Sequence, residues 1–363
     1  RTLILTAKHH DGFCLWPTRT TEHSVARSSW RGGNGDVVRE LVEACRAEGL
    51  NAGLYLSPWD RNAPAYGDSP RYNEMYRAQL TELLTNYGSI SEVWFDGANG
   101  EGPNGRRQVY DWPATWAAMR RLQPRAVIFS DAGPDIRWTG NENGSAGETN
   151  WSTVDPAAVP FPGATGDDVI PMLQHGDPRG TVWRPGETDV SIRPGWFYHP
   201  AEDDKVKSAD RLMELFCSSV GRNSKLLLNV PPTRDGVLHT IDVAHLSGMH
   251  GTLDRLFAED LAAGRRVHWN RTHSTATGEI DLGRSTVIGL VDLAEAIERG
   301  QLVANYVVEG SDGGPWHELS HGTTIGYRKI DRFPGVSVRR IRLRIVHALD
   351  TPRPIRIRAF AGA

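Results

Sequence analysis

Short apolar runs alternate with helical patterns over most of the chain, and this alternation constrains the fold more than any other feature. Strands are predicted at Thr2–Ala7, Leu50–Leu56, Ser91–Phe95, Ala126–Ser130 and Leu226–Val230. Helices are predicted at Asp36–Glu48, Ser69–Asn86, Asp111–Leu122, Asp203–Val220 and Ile241–Ala262. Repeated strand–helix units imply a parallel sheet. We therefore predict an α/β fold of the (β/α)8-barrel type, in which the N-terminal unit is missing.

The character of the sequence changes at Arg265. Beyond it, short β-branched segments separated by Gly or Pro predict a small antiparallel β-sandwich, with strands near Thr286–Leu290, Val303–Glu309, Thr324–Ile330 and Val336–Ile345. We expect the barrel to cover residues 1–264 and the sandwich to cover residues 265–363. We expect the sandwich to brace the barrel rather than to bind carbohydrate itself, because its polar and aromatic residues form no recognisable motif.

The chain opens directly on an apolar strand. Arg1 is followed by Thr-Leu-Ile-Leu, without an initiator Met or a signal peptide. Because a domain rarely begins inside its core, we expect an upstream segment. A barrel that lacks one strand has two unpaired edges, so we expect the chain as written to be poorly active or unstable and the full gene product to be active.

Composition excludes several classes of protein. The formal net charge is −3 and the charges are interspersed, which argues against nucleic acid or an anionic membrane as a partner. No apolar run approaches the roughly 20 residues that a membrane span needs. The three cysteines lack metal-ligand spacing, and no glycine-rich phosphate motif follows a strand. We therefore predict no membrane span, and these observations argue against a cysteine metal site and a dinucleotide cofactor.

Polar and aromatic residues follow the predicted strands directly. The strand ends carry Lys8-His9-His10-Asp11, then Ser57-Pro58-Trp59, then Trp94-Phe95-Asp96-Gly97, and finally Asp131 and Arg137 leading to Asn141-Glu142. Active groups of parallel barrels gather at the carboxyl ends of strands. Two carboxylates with histidines and tryptophans suit glycoside cleavage, in which one carboxylate attacks the anomeric carbon and the other protonates the leaving oxygen.

Each of these residues also has a structural interpretation. Asp96 is predicted as the nucleophile, although a buried aspartate that caps the next loop would look the same. His9 and His10 are adjacent on a strand end, so we expect their side chains to diverge and to make separate contacts with sugar hydroxyls. The alternative is that one histidine faces inward and the other is a hydrogen-bonded structural residue. Trp30 and Trp59 either stack on sugar or pack between loops.

Several motifs, in the same order, resemble glycoside hydrolase family 29, the retaining α-L-fucosidases. The first are Lys8-His9-His10-Asp11-Gly12-Phe13, Trp30, Gly53-Leu54-Tyr55-Leu56-Ser57 and Trp94-Phe95-Asp96-Gly97. Further along, Gly140-Asn141-Glu142, Gly147-Glu148-Thr149-Asn150-Trp151-Ser152 and Ser191-Ile192-Arg193-Pro194-Gly195-Trp196 resemble the branch specific for α-1,3/1,4 linkages. The resemblance covers nearly the whole chain.

The resemblance implies roles residue by residue. Asp96 would be the nucleophile and Glu142 the acid/base, with Glu148 as the rival for the second role. The residues expected to contact the fucosylated oligosaccharide or glycoconjugate are His9, His10, Trp30, Tyr55, Trp59, Trp94, Arg137, Glu187, Arg193 and Trp196. Family members carry another fucose-contacting histidine on an upstream strand that this chain lacks.

Two other functions remain open from the residues alone. Another exo-glycosidase, retaining or inverting, would also need two carboxylates, and only their separation distinguishes the two mechanisms. A catalytically weak fucose-binding protein would keep the sugar contacts but lose one carboxylate, whereas both Asp96 and Glu142 are present. A secreted or periplasmic location is expected from the substrate class, although no signal peptide is visible.

Overall fold

The computed structural model describes residues 1–362. The chain forms two compact units, of which the first comprises Arg1–Arg137 with Ala157–Val169. The second unit comprises Trp138–Pro156 with the chain from Ile170 onward. The predicted division into residues 1–264 and 265–363 stays a prediction.

The first unit is a parallel β/α layer. Its strands pair in chain order and in parallel: β1 (Thr2–Lys8), β2 (Asn51–Leu56), β3 (Glu92–Trp94), β4 (Val127–Ser130) and β5 (Ile136–Trp138), the last of which ends in the second unit. The connecting helices are α1 (Val37–Ala47), α2 (Ser69–Asn86) and α3 (Trp112–Leu122). The strands and helices predicted for this region agree with these bounds to within about two residues.

Local signals explain where these helices begin. The Asp36 side chain accepts a hydrogen bond from Arg39 N at the start of α1, and Asp111 accepts one from Ala114 N at the start of α3. Such caps satisfy N–H groups that have no partner within the helix. Helix α2 covers Ser69–Asn86, as predicted, and the residue that precedes it makes no side-chain cap.

The core of the first unit lies between the sheet and its helices. Alternate strand residues and the inner faces of α1 and α2 are buried together, including Leu54, Leu56, Val42, Leu80 and Leu83. The apolar residues hold the strands in register, so the residues just beyond the strands are brought to one edge of the sheet.

The second unit begins inside a Gly/Pro-rich stretch between Ser130 and Pro200, for which the sequence predicts no helix or strand. The structure has five elements there: β5, β6 (Thr153–Val154), α4 (Val169–His175), β7 (Val182–Trp183) and β8 (Gly186–Ser191). A parallel strand–helix–strand unit follows, in which β8 pairs with β9 (Ser224–Asn229) and α5 (Ala209–Ser219) connects them. Helix α6 (Thr240–Leu256) comes next.

The C-terminal strands form one antiparallel sheet. Its members are β10 (His268–Arg271), β11 (Ala276–Ala294), β12 (Val303–Ser311), β13 (His317–Gly322), β14 (Lys329–Ala348) and β15 (Arg356–Phe360). The order is β10-β11-β14-β12-β13, and β15 pairs with β11. Register shifts along β11 divide its pairing with β14 into three stretches. The predicted strand at Thr324–Ile330 is wrong for its first five residues, because β14 begins at Lys329.

The predicted architecture, parallel β/α units followed by an antiparallel β domain, is therefore confirmed. The remaining short elements are 3-10 helices at Val25–Arg27, Trp30–Gly33, Pro200–Lys205 and Ile297–Arg299. Within residues 1–362, no helix combines the length and the apolar character that crossing a membrane requires.

Candidate active site

Side chains from three neighbouring strand ends meet in the first unit. His9 and His10 follow β1, Ser57 follows β2, and Asp96 lies two residues beyond the end of β3. These strands are parallel, so their carboxyl ends lie at the same edge of the sheet. The structure therefore brings together residues that the strand-end rule selects from the sequence, and their role in catalysis stays a prediction.

Asp96 is held by donors to both of its oxygen atoms. The Tyr55 hydroxyl donates to Oδ2 at 2.9 Å, and the Ala98 N–H donates to Oδ1 at 2.7 Å. Burial, and then the nearby Asp96 carboxylate, raise the pKa of Tyr55, so its hydroxyl stays protonated and acts as a donor. The Asp96 side chain nevertheless keeps 26% of its surface exposed. The carboxylate is thus fixed in orientation and still accessible.

The two histidines lie together rather than diverging, which corrects the expectation from sequence. Their ring centroids are 4.0 Å apart. The alternation of strand side chains does not extend to them, because β1 ends at Lys8 after a shift in its register with β2. Burial, followed by the charge of His10, lowers the pKa of His9 to about 4. His9 is therefore neutral at neutral pH.

A serine determines which nitrogen of His10 carries the proton. Ser57 Oγ donates to the Trp59 carbonyl at 2.7 Å, and it lies 2.7 Å from His10 Nδ1. Because the serine proton is used by the carbonyl, Nδ1–H must donate to Oγ. Burial lowers the pKa of His10 although Asp96 opposes the shift, so the ring favours its neutral form. Its Nε2, 3.8 Å from Asp96 Oδ2, is then a hydrogen-bond acceptor.

Aromatic rings surround these polar groups. The His10 and Trp59 ring centroids are 4.9 Å apart, and those of His9 and Tyr55 are 5.9 Å apart. Trp94 lies 5.5 Å from Tyr55, and its other neighbour is Phe129, stacked at 4.2 Å. The structure therefore brings together six of the predicted residues: His9, His10, Tyr55, Trp59, Trp94 and Asp96.

Trp30 packs against its own loop. This is one of the two roles that the sequence left open, the other being stacking on sugar. Its indole covers Gly35, where a side chain would overlap the ring, and Arg31 lies 4.9 Å from the ring centroid. The indole still has 38% of its surface exposed. Its predicted sugar contact stays a prediction.

A buried ammonium group lies under the histidines, and sequence reasoning gave it no role. Lys8 Nζ contacts Asp60 Oδ2 at 3.2 Å, Gln79 Oε1 at 2.9 Å and the Tyr72 hydroxyl at 3.3 Å. The Tyr72 hydroxyl in turn donates to the Pro58 carbonyl at 2.8 Å. The network connects the end of β1 to the loop that carries Trp59. The signal for it was a lysine inside an otherwise apolar strand.

Asp131, which follows β4, approaches the end of β3 from the side opposite Tyr55. It accepts a hydrogen bond from Gly163 N at 2.8 Å. Burial raises the pKa of Asp131 to about 6, and the Asp96 carboxylate contributes to the shift. A Cβ atom on Gly97 would lie 2.5 Å from Asp131 Oδ2. The sequence gave Asp131 a place at a strand end but did not identify this partner.

Two candidate acid/base residues lie in the second unit, and their surroundings differ. Both carboxylates are exposed. Glu148 Oε1 pairs with Arg222 at 3.2 Å. Glu142 has no salt bridge within residues 1–362, and its loop is anchored by the neighbouring Asn141, whose Nδ2 donates to the Ser145 carbonyl at 2.9 Å.

Three of the predicted sugar contacts are buried inside the protein. Glu187 is fully buried and pairs with Lys225 at 2.7 Å. Arg193 is fully buried and pairs with Asp242 at 2.9 Å, and Arg137 is also buried. Burial of charge requires such partners, and the ion pairs favour a structural role for Glu187 and Arg193. Their sugar contacts stay predictions.

Trp196 is half-buried on the loop that follows β8. Asn229 Nδ2 donates to its carbonyl at 3.1 Å, and the Ser191 hydroxyl donates to the Gly195 carbonyl at 2.7 Å. These bonds fix the backbone that carries the indole.

Within residues 1–362, no group of three or more His, Cys, Asp or Glu side chains could hold a metal ion.

The sequence matches known proteins over most of its length. A family model described as alpha-L-fucosidase matches residues 1–255. The Arabidopsis thaliana protein named alpha-L-fucosidase 1 is 40% identical over 366 aligned residues, which cover 92% of this chain and 70% of that protein.

Solved structures share the fold. A Bacteroides ovatus structure has a TM-score of 0.87 at 45% identity. The match covers 98% of this chain and 63% of the Bacteroides chain, which is longer. A glycoside hydrolase family 29 fucosidase of Ruminococcus gnavus, solved in complex with fucose, has a TM-score of 0.88 at 29% identity and matches all of this chain and 82% of its own.

Proposed function

We propose that this chain, which belongs to the alpha-L-fucosidase family, releases fucose from glycans by a double displacement. In that reaction Asp96 is the nucleophile. Membership of the family confirms the expectation of a glycoside hydrolase. The observation that carries the proposal for this chain is the Asp96 carboxylate, which is accessible and oriented by the Tyr55 hydroxyl and the Ala98 N–H.

The setting of Asp96 suits attack on an anomeric carbon. The carboxylate oxygen that accepts from Tyr55 also faces His10 Nε2, so the groups that would bind the sugar and the group that would attack it are adjacent. In the first displacement, an Asp96 oxygen forms a bond to the anomeric carbon while the bond to the leaving oxygen breaks and that oxygen takes a proton. In the second displacement, water attacks the same carbon and Asp96 leaves as a carboxylate.

We assign the proton transfers to Glu142. Its carboxylate is exposed and has no ion-pair partner among residues 1–362. Glu148 Oε1 pairs with Arg222 at 3.2 Å, so its carboxylate is already engaged within the protein. Because exposed ion pairs are weak, the Glu142→Ala and Glu148→Ala variants decide between the two residues.

The histidines account for recognition of the sugar. With Nδ1–H donated to Ser57, His10 Nε2 can accept a hydrogen bond from a fucose hydroxyl. His9, whose ring lies against that of His10, would contact a second hydroxyl. Trp59 and Trp94 offer ring faces for the apolar side of a deoxysugar.

For linkage, we propose α-1,3/1,4-linked fucose on branched glycans. The support is the likeness of Gly140-Asn141-Glu142 and of the segment from Ser191 to Trp196 to the branch of the family with that preference. Hydrolysis of Lewis-type trisaccharides in preference to α-1,2-linked fucosides would support the assignment. The reverse order would remove it.

One experiment tests the central claim. NMR during hydrolysis of a Lewis-type trisaccharide by the complete protein should show α-fucose as the first product. An inverting enzyme, whose carboxylates stand about 6.5–9.5 Å apart rather than about 5–5.5 Å, would release β-fucose first. A fucose-binding protein would release none. The Asp96→Gly variant should lose several orders of magnitude in turnover and recover partly with azide, yielding β-fucosyl azide.

A further inference from the structure

A tight turn lies against the residue that follows the proposed nucleophile. Ala164 N donates to the Phe161 carbonyl at 3.1 Å, and Gly163 has a φ of +77°. Pro162 in second position and a left-handed glycine in third position are the residues that a type II turn requires. The turn belongs to Ala157–Val169, which is part of the first unit although its neighbours in sequence are not.

The turn is seated on the strand end by glycine contacts. Gly163 N donates to Asp131 Oδ2 at 2.8 Å. A Cβ atom on Gly97 would lie 2.6 Å from Gly163 N, and a Cβ atom on Gly163 would overlap the Gly97 carbonyl oxygen. The two backbones can approach this closely only because neither residue has a side chain. The turn is therefore held one residue away from Asp96.

The turn leaves its largest side chain in solvent. Val159 and Pro162 are buried, whereas Phe161 between them has 52% of its surface exposed. Pro160 and Pro162 fix the backbone on either side of Phe161, because proline restricts both itself and the residue before it. The ring thus lies outside the core on a backbone whose conformation the two prolines restrict.

We propose that Phe161 contacts the group to which fucose is attached, and that Asp131 positions the turn for that contact. The inference rests on the proposed function and adds a specificity residue to it. Fucose itself would occupy the cluster of histidines and tryptophans around Asp96. An exposed aromatic ring, on a turn whose Gly163 lies against Gly97, would offer an apolar face to the next sugar of the glycan, whose C–H groups pack well on aromatic rings.

The test compares substrates with and without that group. α-L-Fucosyl fluoride consists of fucose and a leaving fluoride only, so a contact beyond fucose cannot affect its hydrolysis. Phe161→Ala should lower kcat/KM for a Lewis-type trisaccharide about 5- to 10-fold and leave kcat/KM for the fluoride unchanged, a size typical of one aromatic contact. Phe161→Trp should restore the trisaccharide value.

A second pair of variants moves the turn without removing the ring. Gly163→Ala should reproduce the trisaccharide-specific loss, because the new methyl group collides with Gly97. Gly105→Ala is the matched control, since Gly105 has a similar φ of +71° but nothing within 4 Å of its Cβ position. Combining Phe161→Ala with Gly163→Ala should add no further loss, because both variants remove one contact.

The outcomes separate this inference from the proposed function. If the unsubstituted protein hydrolyses neither substrate, the proposed function fails. If it hydrolyses both and Phe161→Ala lowers the two values equally or changes neither, the role of Phe161 is refuted while the fucosidase assignment stands.

Discussion

Ser57 offers a sharp test of how the site fixes its chemistry. Its hydroxyl is fully buried, accepts from His10 Nδ1 and donates to the Trp59 carbonyl, both at 2.7 Å. Ser57→Ala removes the acceptor that holds His10 in the tautomer with a free Nε2. The His10 ring then loses its preference for this tautomer. In the molecules whose Nε2 carries the proton, Nε2 cannot accept a hydrogen bond from the sugar.

The magnitude follows from one hydrogen bond. A neutral bond contributes about 0.5–1.5 kcal/mol. At about 1.4 kcal/mol for each factor of ten in rate, kcat/KM should fall about 2- to 13-fold. The contact is to fucose itself, so the loss should be the same for fucosyl fluoride and for a trisaccharide, unlike the loss expected for Phe161→Ala. Nitrogen NMR of the imidazole would report the tautomer directly.

Ser91→Ala is the matched control for this experiment. Its hydroxyl donates to the Ala52 carbonyl at 2.9 Å, just before β3 and therefore at the opposite edge of the sheet. We expect Ser91→Ala to lower the melting temperature about as much as Ser57→Ala does, and to leave kcat/KM unchanged. Wild-type kcat/KM and unchanged His10 nitrogen shifts in Ser57→Ala would refute the tautomer argument.

Three further predictions test other parts of the structure. Glu142→Ala should slow substrates with poor leaving groups far more than activated aryl fucosides in steady-state assays; if Glu148→Ala shows that pattern instead, the acid/base assignment is wrong. The pKa of Asp131 is raised to about 6 from 3.8, so the folded protein binds the carboxyl proton more tightly than the unfolded chain does. The stabilisation that this proton gives is complete below about pH 4 and is lost as the pH rises through 6. Asp131→Asn should therefore gain stability relative to wild type across that range, on the order of 1 kcal/mol after screening, in unfolding curves recorded from pH 4 to 8, and a constant difference would contradict the shift. Arg193→Ala should cost about 3–5 kcal/mol in chemical unfolding because it leaves a buried aspartate without its partner, whereas Arg211→Ala, at an exposed pair, should cost less than about 1 kcal/mol.

Residues close in sequence to a strand end could be predicted well. His9, His10 and Asp96 were identified because an apolar strand, a parallel sheet and the location of active sites in such sheets are all readable from the sequence. The relation between the two histidines could not be predicted, because it depends on a shift in register between β1 and β2.

Buried polar strands escaped prediction for a different reason. Strand β8 reads Gly-Glu-Thr-Asp-Val-Ser, and all six residues are buried. A search for apolar runs passes over it, because its polar groups are matched by partners elsewhere in the fold, such as Lys225 for Glu187. Contacts between distant segments, such as Asp131 with Gly163, are hidden in the same way.

The supporting contacts of the site follow one rule that the strand order makes predictable. His10 at the end of β1 is held by Ser57 at the end of β2, and Asp96 after β3 is held by Tyr55 on β2. Asp131 after β4 approaches Gly97 after β3. In each case the support comes from the adjacent strand, because parallel register places Tyr55 beside Trp94 and Trp94 beside Phe129. Once the order of the strands is known, the partner of a functional group at one strand end is therefore expected among the polar residues at the end of the adjacent strand.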